Sequence, residues 1–292
     1  MNNFIASYKL ILKVLQENCK KESFLFQIRK PKFSDLELIA LNLTAEYKSI
    51  DSENQLFKEL PAFITSKIER TVYNRRKRKL AFAIEMVRGK LSERFNEFED
   101  YFIVDSMPLE VTKLSRSKRS KICKENFDTS PDNGFSASQN LYYHGYKLHA
   151  VSSVNGVFKS FDISKASVHD IHYLKDIKHQ FNNCTIIGDK GYLSVDYQLD
   201  LFQTKQINLE VPMRENQLNY KKQAYIFRKK RKRIETLFSQ LCDQFMIRRN
   251  YAKTFDGFSV RILSKITSLT VIQYINKFIF ERNINNIKIN IA

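Results

Sequence analysis

The sequence predicts an α/β protein in which a mixed sheet flanked by helices follows an all-α amino-terminal region. Helix-capping signals recur before residue 98, apolar β-type runs begin at residue 101, and strand and helix patterns alternate from residue 184 onward. The 292 residues include 43% hydrophobic side chains, which is enough to bury a sizeable core. We therefore expect one large domain and one smaller domain.

Three helix starts are predicted in the amino-terminal region, at Ser34–Glu37, Ser52–Gln55 and Ser66–Glu69. In each, the serine hydroxyl can accept from the amide three residues later, and the Glu or Gln side chain can return a bond. The third helix continues into the basic run NRRKRK at Asn74–Lys79, which is typical either of a recognition helix in a DNA major groove or of a solvated surface helix. A long helix over Leu80–Glu97 is predicted to end this region.

The next region has the period of β-strands. Runs at Tyr101–Val104, Tyr146–Ser153 and Val157–Ile163 are predicted strands, and the Asn-Gly pair between the last two is typical of a hairpin turn. Residues 108–141 are interpreted as a basic insertion near the functional site, with a solvated surface loop as the alternative. The later predicted elements are a helix near Val168–Phe181, a strand Cys184–Ile187, a helix Val195–Thr204, a strand Ile207–Val211 and a long helix from about Lys222 to Arg248.

The net charge indicates a polyanionic partner. Forty-nine Lys and Arg residues against 31 Asp and Glu residues give a formal charge of +18. We expect DNA rather than a membrane, because the sequence contains no apolar run long enough to span a bilayer. The four cysteines lack the spacing of a zinc site or a disulfide framework, and Met1–Lys13 lacks the pattern of an export signal. A cytoplasmic, nucleoid-associated protein is therefore expected.

Two predicted strands end on an aspartate: FIVDS contains Asp105, and TIIGDK contains Asp189. The carboxyl ends of neighbouring strands meet at one edge of a sheet, so both carboxylates would emerge there. Two ionised carboxylates at short distance repel each other, which raises one pKa unless a cation lies between them. Mg²⁺ is the natural cation, because it prefers carboxylates, water and phosphate oxygens as ligands.

A third carboxylate is expected from the long helix. Its apolar stripe includes Ile234, Leu237 and Phe238, and Glu235 lies at the margin of this stripe after a run of basic residues. We interpret Glu235 as a metal ligand; the alternative is an intrahelical salt bridge with Arg231. Three such carboxylates suit two Mg²⁺ ions, with Mn²⁺ as a substitute, which promote attack at a phosphodiester.

Basic side chains around these carboxylates, on the basic segment and on the third helix are expected to bind DNA phosphates. His149 and His169 lack a partner at metal-ligand spacing, so structural or capping roles are expected for them. The candidate DNA-binding residues are Arg70, Asn74, Arg75, Arg76, Arg116, Arg119, Lys147, Lys190, Arg228, Arg231 and Lys232.

Five motifs, taken in order, carry a resemblance to a known family. They are VDSMPL (104–109), YYHGYKLH (142–149), VHD (168–170), GDKGYLS (188–194) and RKKRKRIETLFSQL (228–241). In this order they resemble the DDE transposases of bacterial insertion sequences, in particular the group numbered nine hundred and eighty-two. The resemblance extends to FSDLELIALNLTAEY at residues 33–47 and so covers nearly the whole chain.

The resemblance implies an RNase H-like catalytic domain with two Mg²⁺ ions, which cleaves DNA at terminal inverted repeats and transfers the strand to target DNA. By matching positions, Asp105, Asp189 and Glu235 would be its acidic triad. A homodimer on paired DNA ends is expected by analogy. The implied domains are 1–98, a helical, helix-turn-helix-like DNA-binding region; 99–282, the catalytic domain with the basic insertion 108–141; and 283–292, a flexible tail.

The related signature Y-x2-R-x3-E-x6-K is only partly present. Arg231 and Glu235 fit it, whereas Arg228 holds the Tyr position and Cys242 holds the Lys position. Two alternatives to a transposase stay open. One is a non-catalytic DNA-binding protein derived from such an enzyme, and the other is a general RNase H-like nuclease without end specificity or strand transfer.

Overall fold

The computed structural model describes residues 2–19, 23–95, 100–137, 139–217 and 220–292. By packing, the chain divides into two compact units. The helical unit comprises Met1–Phe95 and Gln240–Ala292, and the sheet unit comprises Asn96–Ser239. The predicted domain bounds stay a prediction, and the predicted boundary after residue 98 lies outside the described residues.

The described residues form ten α-helices and six β-strands. The helices are α1 (Asn2–Asn18), α2 (Asp35–Tyr47), α3 (Glu53–Glu59), α4 (Ala62–Thr65), α5 (Arg70–Lys79), α6 (Ala81–Glu93), α7 (Leu174–Gln180), α8 (Val195–Lys205), α9 (Tyr225–Asp243) and α10 (Phe255–Phe278). The strands are β1 (Tyr101–Thr112), β2 (Asp132–Ser136), β3 (Leu141–Ser153), β4 (Phe158–Lys165), β5 (Cys184–Ile187) and β6 (Ile207–Glu210). Short 3-10 helices lie at Leu114–Arg116, Asp170–Tyr173 and Lys190–Tyr192. None of the described helices combines the length and the apolar content that a bilayer span requires.

Two of the three predicted helix starts are confirmed. Ser34 accepts from the Glu37 amide at 3.1 Å, and its own amide donates to the Glu37 carboxylate at 2.6 Å, so a complete capping box begins α2. Ser52 caps α3 by accepting from the Gln55 amide at 3.3 Å. The predicted start at Ser66 is wrong, because its amide bonds back to α4 and ends that helix instead.

Other elements differ from their predicted bounds. The long helix predicted to follow α5 ends at Glu93, and its predicted last residue, Glu97, lies outside the described residues. α9 is shorter at both ends than predicted, and the chain beyond it adopts a positive φ of 47° at Met246, which does not continue a helix. Within residues 283–292, the side chain of Ile291 is buried.

The sheet has the strand order β2-β3-β1-β5-β6, and β4 pairs with β3. β1 is antiparallel to β3 and parallel to β5, and β5 is parallel to β6. The mixed sheet that the sequence predicts is therefore confirmed. β3 and β4 form the predicted hairpin, and its turn contains Gly156 at φ 95°, a conformation that favours glycine.

β1 is longer than predicted. It runs over Tyr101–Thr112, so Asp105 lies inside the strand, whereas the sequence predicted it after the strand's end. Pairing with β3 continues past the aspartate and includes buried Leu109 opposite Tyr146. Because these cross-strand contacts are tertiary, they keep the chain extended although polar residues interrupt the apolar run. β2 also lies within 108–141, so the basic segment is less irregular than predicted.

The two faces of β1 pack against different helices. Val104 belongs to a buried core with side chains of α7 and α8. Tyr101 and Asp105 point to the opposite face, because side chains alternate along a strand. α9 covers that face, since the rings of Tyr101 and Phe227 are 6.5 Å apart. Asp105 therefore faces α9.

Candidate active site

Asp105 and Asp189 lie side by side on neighbouring elements of the sheet unit. The parallel register of β1 and β5 places Ile103 opposite Ile187, and continuing it by two residues brings Asp105 opposite Asp189. Neighbouring strands are about 4.8 Å apart, so the two aspartates are close neighbours. Because β5 ends at Ile187 while β1 continues, one aspartate lies inside a strand and the other lies in a turn.

The turn after β5 fixes the position of Asp189. Its Oδ1 accepts from the Gly191 amide at 2.7 Å and thereby caps the 3-10 helix Lys190–Tyr192. Gly188, which precedes the aspartate, passes close to β1: a Cβ at this position would lie 3.2 Å from the Val104 side chain. The sequence pattern Gly-Asp-Lys-Gly therefore serves a tight turn, as expected from its two glycines.

Asp105 is the most perturbed acid of the site. Its pKa is raised from 3.8 to about 7, chiefly by burial and in addition by the negative charges of Asp189 and Glu235. A hydrogen bond from the Ser106 amide at 2.8 Å and the positive charge of Arg231 oppose this rise in pKa. A carboxylate in such surroundings gains most from an added cation, because a cation favours its ionised form.

Arg231 links the third predicted acid to the first. On α9 its guanidinium lies 3.2 Å from Oε1 of Glu235 and 3.8 Å from Oδ2 of Asp105. The intrahelical salt bridge that the sequence analysis kept as an alternative is therefore present. The same arginine also brings the turn of α9 that carries Glu235 close to Asp105. The Glu235 side chain is 50% exposed, so it has room to turn.

The donor set suits a hard divalent cation. Among the described residues, no group of three or more His, Cys, Asp or Glu side chains is arranged to hold a metal ion. However, Asp105, Asp189 and Glu235 all present carboxylate oxygens, which are the ligands that Mg²⁺ and Mn²⁺ prefer. Arg231 supplies positive charge between Asp105 and Glu235, where a metal ion would otherwise supply it. The chemistry of these three side chains therefore fits a hard divalent cation.

Residues 96–271 match the family model described as "Transposase DDE domain". The chain belongs to this family. The match covers more than half of the chain and contains the sheet, both aspartates and Glu235. Membership makes this protein a transposase of the DDE type, an enzyme class that acts on DNA. The particular insertion-sequence group and the bacterial source stay predictions. No curated protein matches the chain.

Most candidate DNA-binding residues of this transposase are solvent-exposed. In the DDE domain, Arg228 of α9 also lies over the ring of Tyr225, 5.8 Å from its centroid, which holds the guanidinium near the helix surface. Exposure leaves these side chains accessible to phosphate groups, and their contacts with DNA stay predictions. The exposed candidates are Arg70, Arg75, Arg116, Arg119, Lys190, Arg228 and Lys232.

Other candidates are engaged within the protein. Arg76 is buried and forms an ion pair with Asp35 at 2.6 Å, so it stabilises the helical unit. Asn74 donates to the Glu53 carboxylate at 2.6 Å. Lys147 donates to the Asp170 carboxylate at 2.9 Å and to the Val168 carbonyl at 2.8 Å. A DNA contact by any of these three side chains would require them to leave these bonds.

The expected structural roles of both histidines are confirmed. His169 accepts from the Ile171 amide at 3.2 Å and caps the 3-10 helix Asp170–Tyr173. His149 is buried, stacks on Tyr173 and lies 2.7 Å from the Ser164 hydroxyl. Burial lowers the pKa of His149 to about 4, so it is neutral at physiological pH.

One acidic residue near the site, Asp170, is not among the site residues that the sequence predicts. Asp170 belongs to the VHD motif and accepts from the Lys147 ammonium at 2.9 Å. A Cβ at Gly191 would lie 2.9 Å from Oδ1 of Asp189 and 3.7 Å from Oδ2 of Asp170, so both carboxylates approach this glycine. In the sequence, the only indication that Asp170 lies near the site is the position of the VHD motif between two strands that carry site residues.

Proposed function

We propose that this transposase cleaves DNA strands at the ends of an insertion sequence and joins them to target DNA, in a reaction that depends on Mg²⁺ or Mn²⁺. The proposal assigns catalysis to Asp105, Asp189 and Glu235 within an RNase H-like domain. The observation that carries it is that Asp105, which neighbours Asp189 across β1 and the turn after β5, lies against the Arg231–Glu235 pair of α9. All three acids also lie within the family match.

Asp105, Asp189 and Glu235 would hold two divalent ions. When bound, such ions activate water or a 3′-hydroxyl and stabilise the oxygen that leaves the phosphate. The protein's own contribution is to keep the three carboxylates ready. β1 and the turn after β5 fix the two aspartates in register, and α9 brings the third acid from a different element.

Arg231 compensates part of the negative charge of the acids in the absence of metal. Burial is the main cause of the raised pKa of Asp105, and the contacts of Arg231 with Asp105 and Glu235 oppose the further rise that repulsion between the acids causes. Divalent ions and Arg231 therefore compete for the same carboxylates. Once released, the guanidinium is well suited to a phosphate oxygen, because its planar donors match that geometry. In the proposed function, the Arg231 guanidinium would therefore lie between the three acidic residues and the DNA backbone.

A basic surface on α9 supports the proposed DNA substrate. Lys229, Lys230, Lys232 and Arg233 line a cavity of about 420 Å³ together with the turn of the β3–β4 hairpin. None of these four side chains forms an ion pair with a described residue. Like charges three and four residues apart on a helix repel, and a phosphate backbone would relieve this repulsion.

The amino-terminal helices are proposed to bind the same DNA. α5 carries exposed Arg70 and Arg75, and a basic helix of this kind suits either the major groove or the backbone. Terminal inverted repeats are the proposed substrate, and a homodimer on paired ends is the proposed assembly. The domain bounds at residues 98 and 282 belong to the same proposal.

The test uses the DNA that flanks the reading frame, labelled at its ends. We expect the purified protein with Mg²⁺ to nick this DNA at fixed positions and to join the ends to a second DNA molecule. Asp105→Asn, Asp189→Asn and Glu235→Gln should abolish both products while DNA binding is retained. Retarded DNA without products in Mg²⁺ or Mn²⁺ would favour a non-catalytic DNA-binding protein. Cleavage without end specificity or joining would favour a general nuclease.

A further inference from the structure

We propose that Asp170 and Lys147 form a positioning pair that sets the affinity of the active site for divalent cations. The pair has no place in the acidic triad, and neither residue is expected to hold the metal directly. This inference rests on the proposed function, because it concerns the same carboxylates. It predicts opposite effects when one or the other charge is removed.

Lys147 and Asp170 are brought together by the sheet. Lys147 lies on β3 opposite Pro108 of β1, and Asp170 begins the 3-10 helix that follows β4. The Lys147 ammonium donates to Oδ1 of Asp170 at 2.9 Å and to the carbonyl of Val168 at 2.8 Å. Their side chains are only 15% and 25% exposed. The pair is therefore well shielded, and its charges act on neighbouring groups more strongly than surface charges do.

The pair lies next to the turn that carries Asp189. A Cβ at Gly191 would be within 4 Å of carboxylate oxygens from both Asp189 and Asp170. The Gly191 amide is already used by Asp189, so Asp170 packs against the turn without bonding to that amide. A change in the charge of Asp170 is therefore felt at Asp189. Lys147 offsets the negative charge that Asp170 adds.

A buried hydroxyl connects this pair with the aspartates. Tyr192 is fully buried, and its hydroxyl has no hydrogen-bond partner among the described residues. Burial raises the pKa of Tyr192 well above 10, and the negative charges of Asp170, Asp105 and Asp189 raise it further. One phenol thus lies within electrostatic reach of all three carboxylates. An unpaired buried donor marks a polar interior here, where charges are weakly screened.

The charge of Asp170 also acts on two more buried groups. The Tyr143 hydroxyl and Nδ1 of His149 have no partner among the described residues, and both side chains are buried. The charge of Asp170 contributes to the pKa of each, after burial as the main cause. Asp170 is therefore part of an extended polar region beside the site and not a surface residue of the 3-10 helix.

The charges give the inference its sign. Asp170→Asn would leave the Lys147 ammonium without its partner, so a positive charge would remain near the aspartates and weaken cation binding. Lys147→Met would leave Asp170 negative and uncompensated, so cation binding would become tighter. A merely structural role predicts otherwise: loss of either partner would loosen the turn and weaken cation binding in both variants.

The test measures Mn²⁺ binding to the full-length protein without DNA, from the electron paramagnetic resonance signal of free Mn²⁺. We expect Asp170→Asn to raise the dissociation constant about tenfold and Lys147→Met to lower it by a similar factor. The double variant should return close to the original value. Lys175→Met, which removes an exposed charge from α7, is the matched control and should leave the constant unchanged.

Equal directions of change in the two single variants, or no change beyond the control, would overturn the inference. Thermal unfolding of each variant shows whether it is folded. Should Asp170→Asn not fold, Lys147→Met must still tighten Mn²⁺ binding and Asp170→Glu must preserve it, or the inference fails. Opposite shifts in a protein that does not cleave DNA would refute the proposed function alone. Parallel shifts in a protein that does cleave would refute only this inference.

Discussion

Two ion-pair networks, one in each unit, show how differently this protein uses similar charges. In the helical unit, Lys265 is fully buried and donates to the Glu46 carboxylate and the Phe245 carbonyl, each at 2.6 Å. In the sheet unit, Arg231 is partly exposed and lies 3.2 Å and 3.8 Å from its two acids. The first network is closed and short, whereas the second is loose and open to solvent.

The difference distinguishes a buried ion pair that stabilises the fold from acidic residues that remain able to bind another cation. Burial lowers the pKa of Lys265, and the nearby Glu46 carboxylate compensates in part, so neither partner is dispensable. Around Arg231 compensation is incomplete, since burial first, and then the charges of Asp189 and Glu235, keep the pKa of Asp105 raised. Poor compensation costs stability but leaves the carboxylates able to accept a metal ion.

The largest expected effect on stability comes from the closed network. Lys265→Met removes the shorter of the two ion pairs of buried Glu46 and leaves only Arg261, at 3.4 Å, so we expect the free energy of unfolding to fall by about 3–5 kcal/mol. Urea denaturation measures this loss. Adding Glu46→Gln should recover part of this loss, because the buried charge that Arg261 alone compensates poorly is then removed. A loss below about 1 kcal/mol would show that the network stabilises the fold no more than a surface ion pair does.

An effect of opposite sign and comparable size is expected from Asp105→Asn. The folded pKa of Asp105, about 7, exceeds its usual value of 3.8, so the wild-type metal-free protein loses stability as the pH rises through this window. The asparagine does not ionise and avoids this loss. The variant should therefore be more stable than the wild type at pH 8, with an advantage on the order of 1.4 kcal/mol per unit of pKa change.

Thermal unfolding in the presence of a chelator, from pH 4 to pH 8, checks this sign. The difference between variant and wild type should grow toward pH 7 and then remain constant. A difference that is independent of pH, or that shrinks as the pH rises, would contradict the buried and poorly compensated state of Asp105. Asp196→Asn, at the start of α8, serves as the control.

The smallest effect on stability is expected at Arg231. Its exposed and loose contacts predict that Arg231→Gln changes the free energy of unfolding by less than about 1 kcal/mol. Because the arginine competes with divalent ions, Mn²⁺ should bind the DNA-free variant about tenfold more tightly. Lys232→Gln, a neighbouring exposed cation, is the control for net charge. Weaker Mn²⁺ binding in Arg231→Gln would contradict the proposed competition between Arg231 and divalent ions.

Local sequence signals predicted much of the fold. The capping box at Ser34, the hairpin turn with Gly156 and the tight turn around Asp189 each depend on a few adjacent residues, and the structure contains all three. The position of Asp105 within β1 was missed, because it depends on pairing with β3, more than thirty residues away. Local pattern says little about such pairing.

The charged residues were harder to assign than the strands. In the basic run of α5, Arg76 packs inward with Tyr73, and the sequence does not distinguish it from its exposed neighbour Arg75. The pairing of Asp170 with Lys147 joins residues on separate elements, so neither spacing nor charge pattern predicted it. For Glu235, the sequence allowed both a metal-ligand role and a salt bridge with Arg231, because both interpretations depend on the same face of α9.

The most direct test of the proposed active site is anomalous diffraction from Mn²⁺ in crystals of the protein with DNA. We expect Mn²⁺ peaks at roughly 2.0–2.3 Å from carboxylate oxygens of Asp105 and Asp189, with the Glu235 side chain turned from Arg231 toward one of the ions. Peaks elsewhere, or bound DNA with Glu235 still paired to Arg231 and no metal at the aspartates, would contradict a shared site for the three acids.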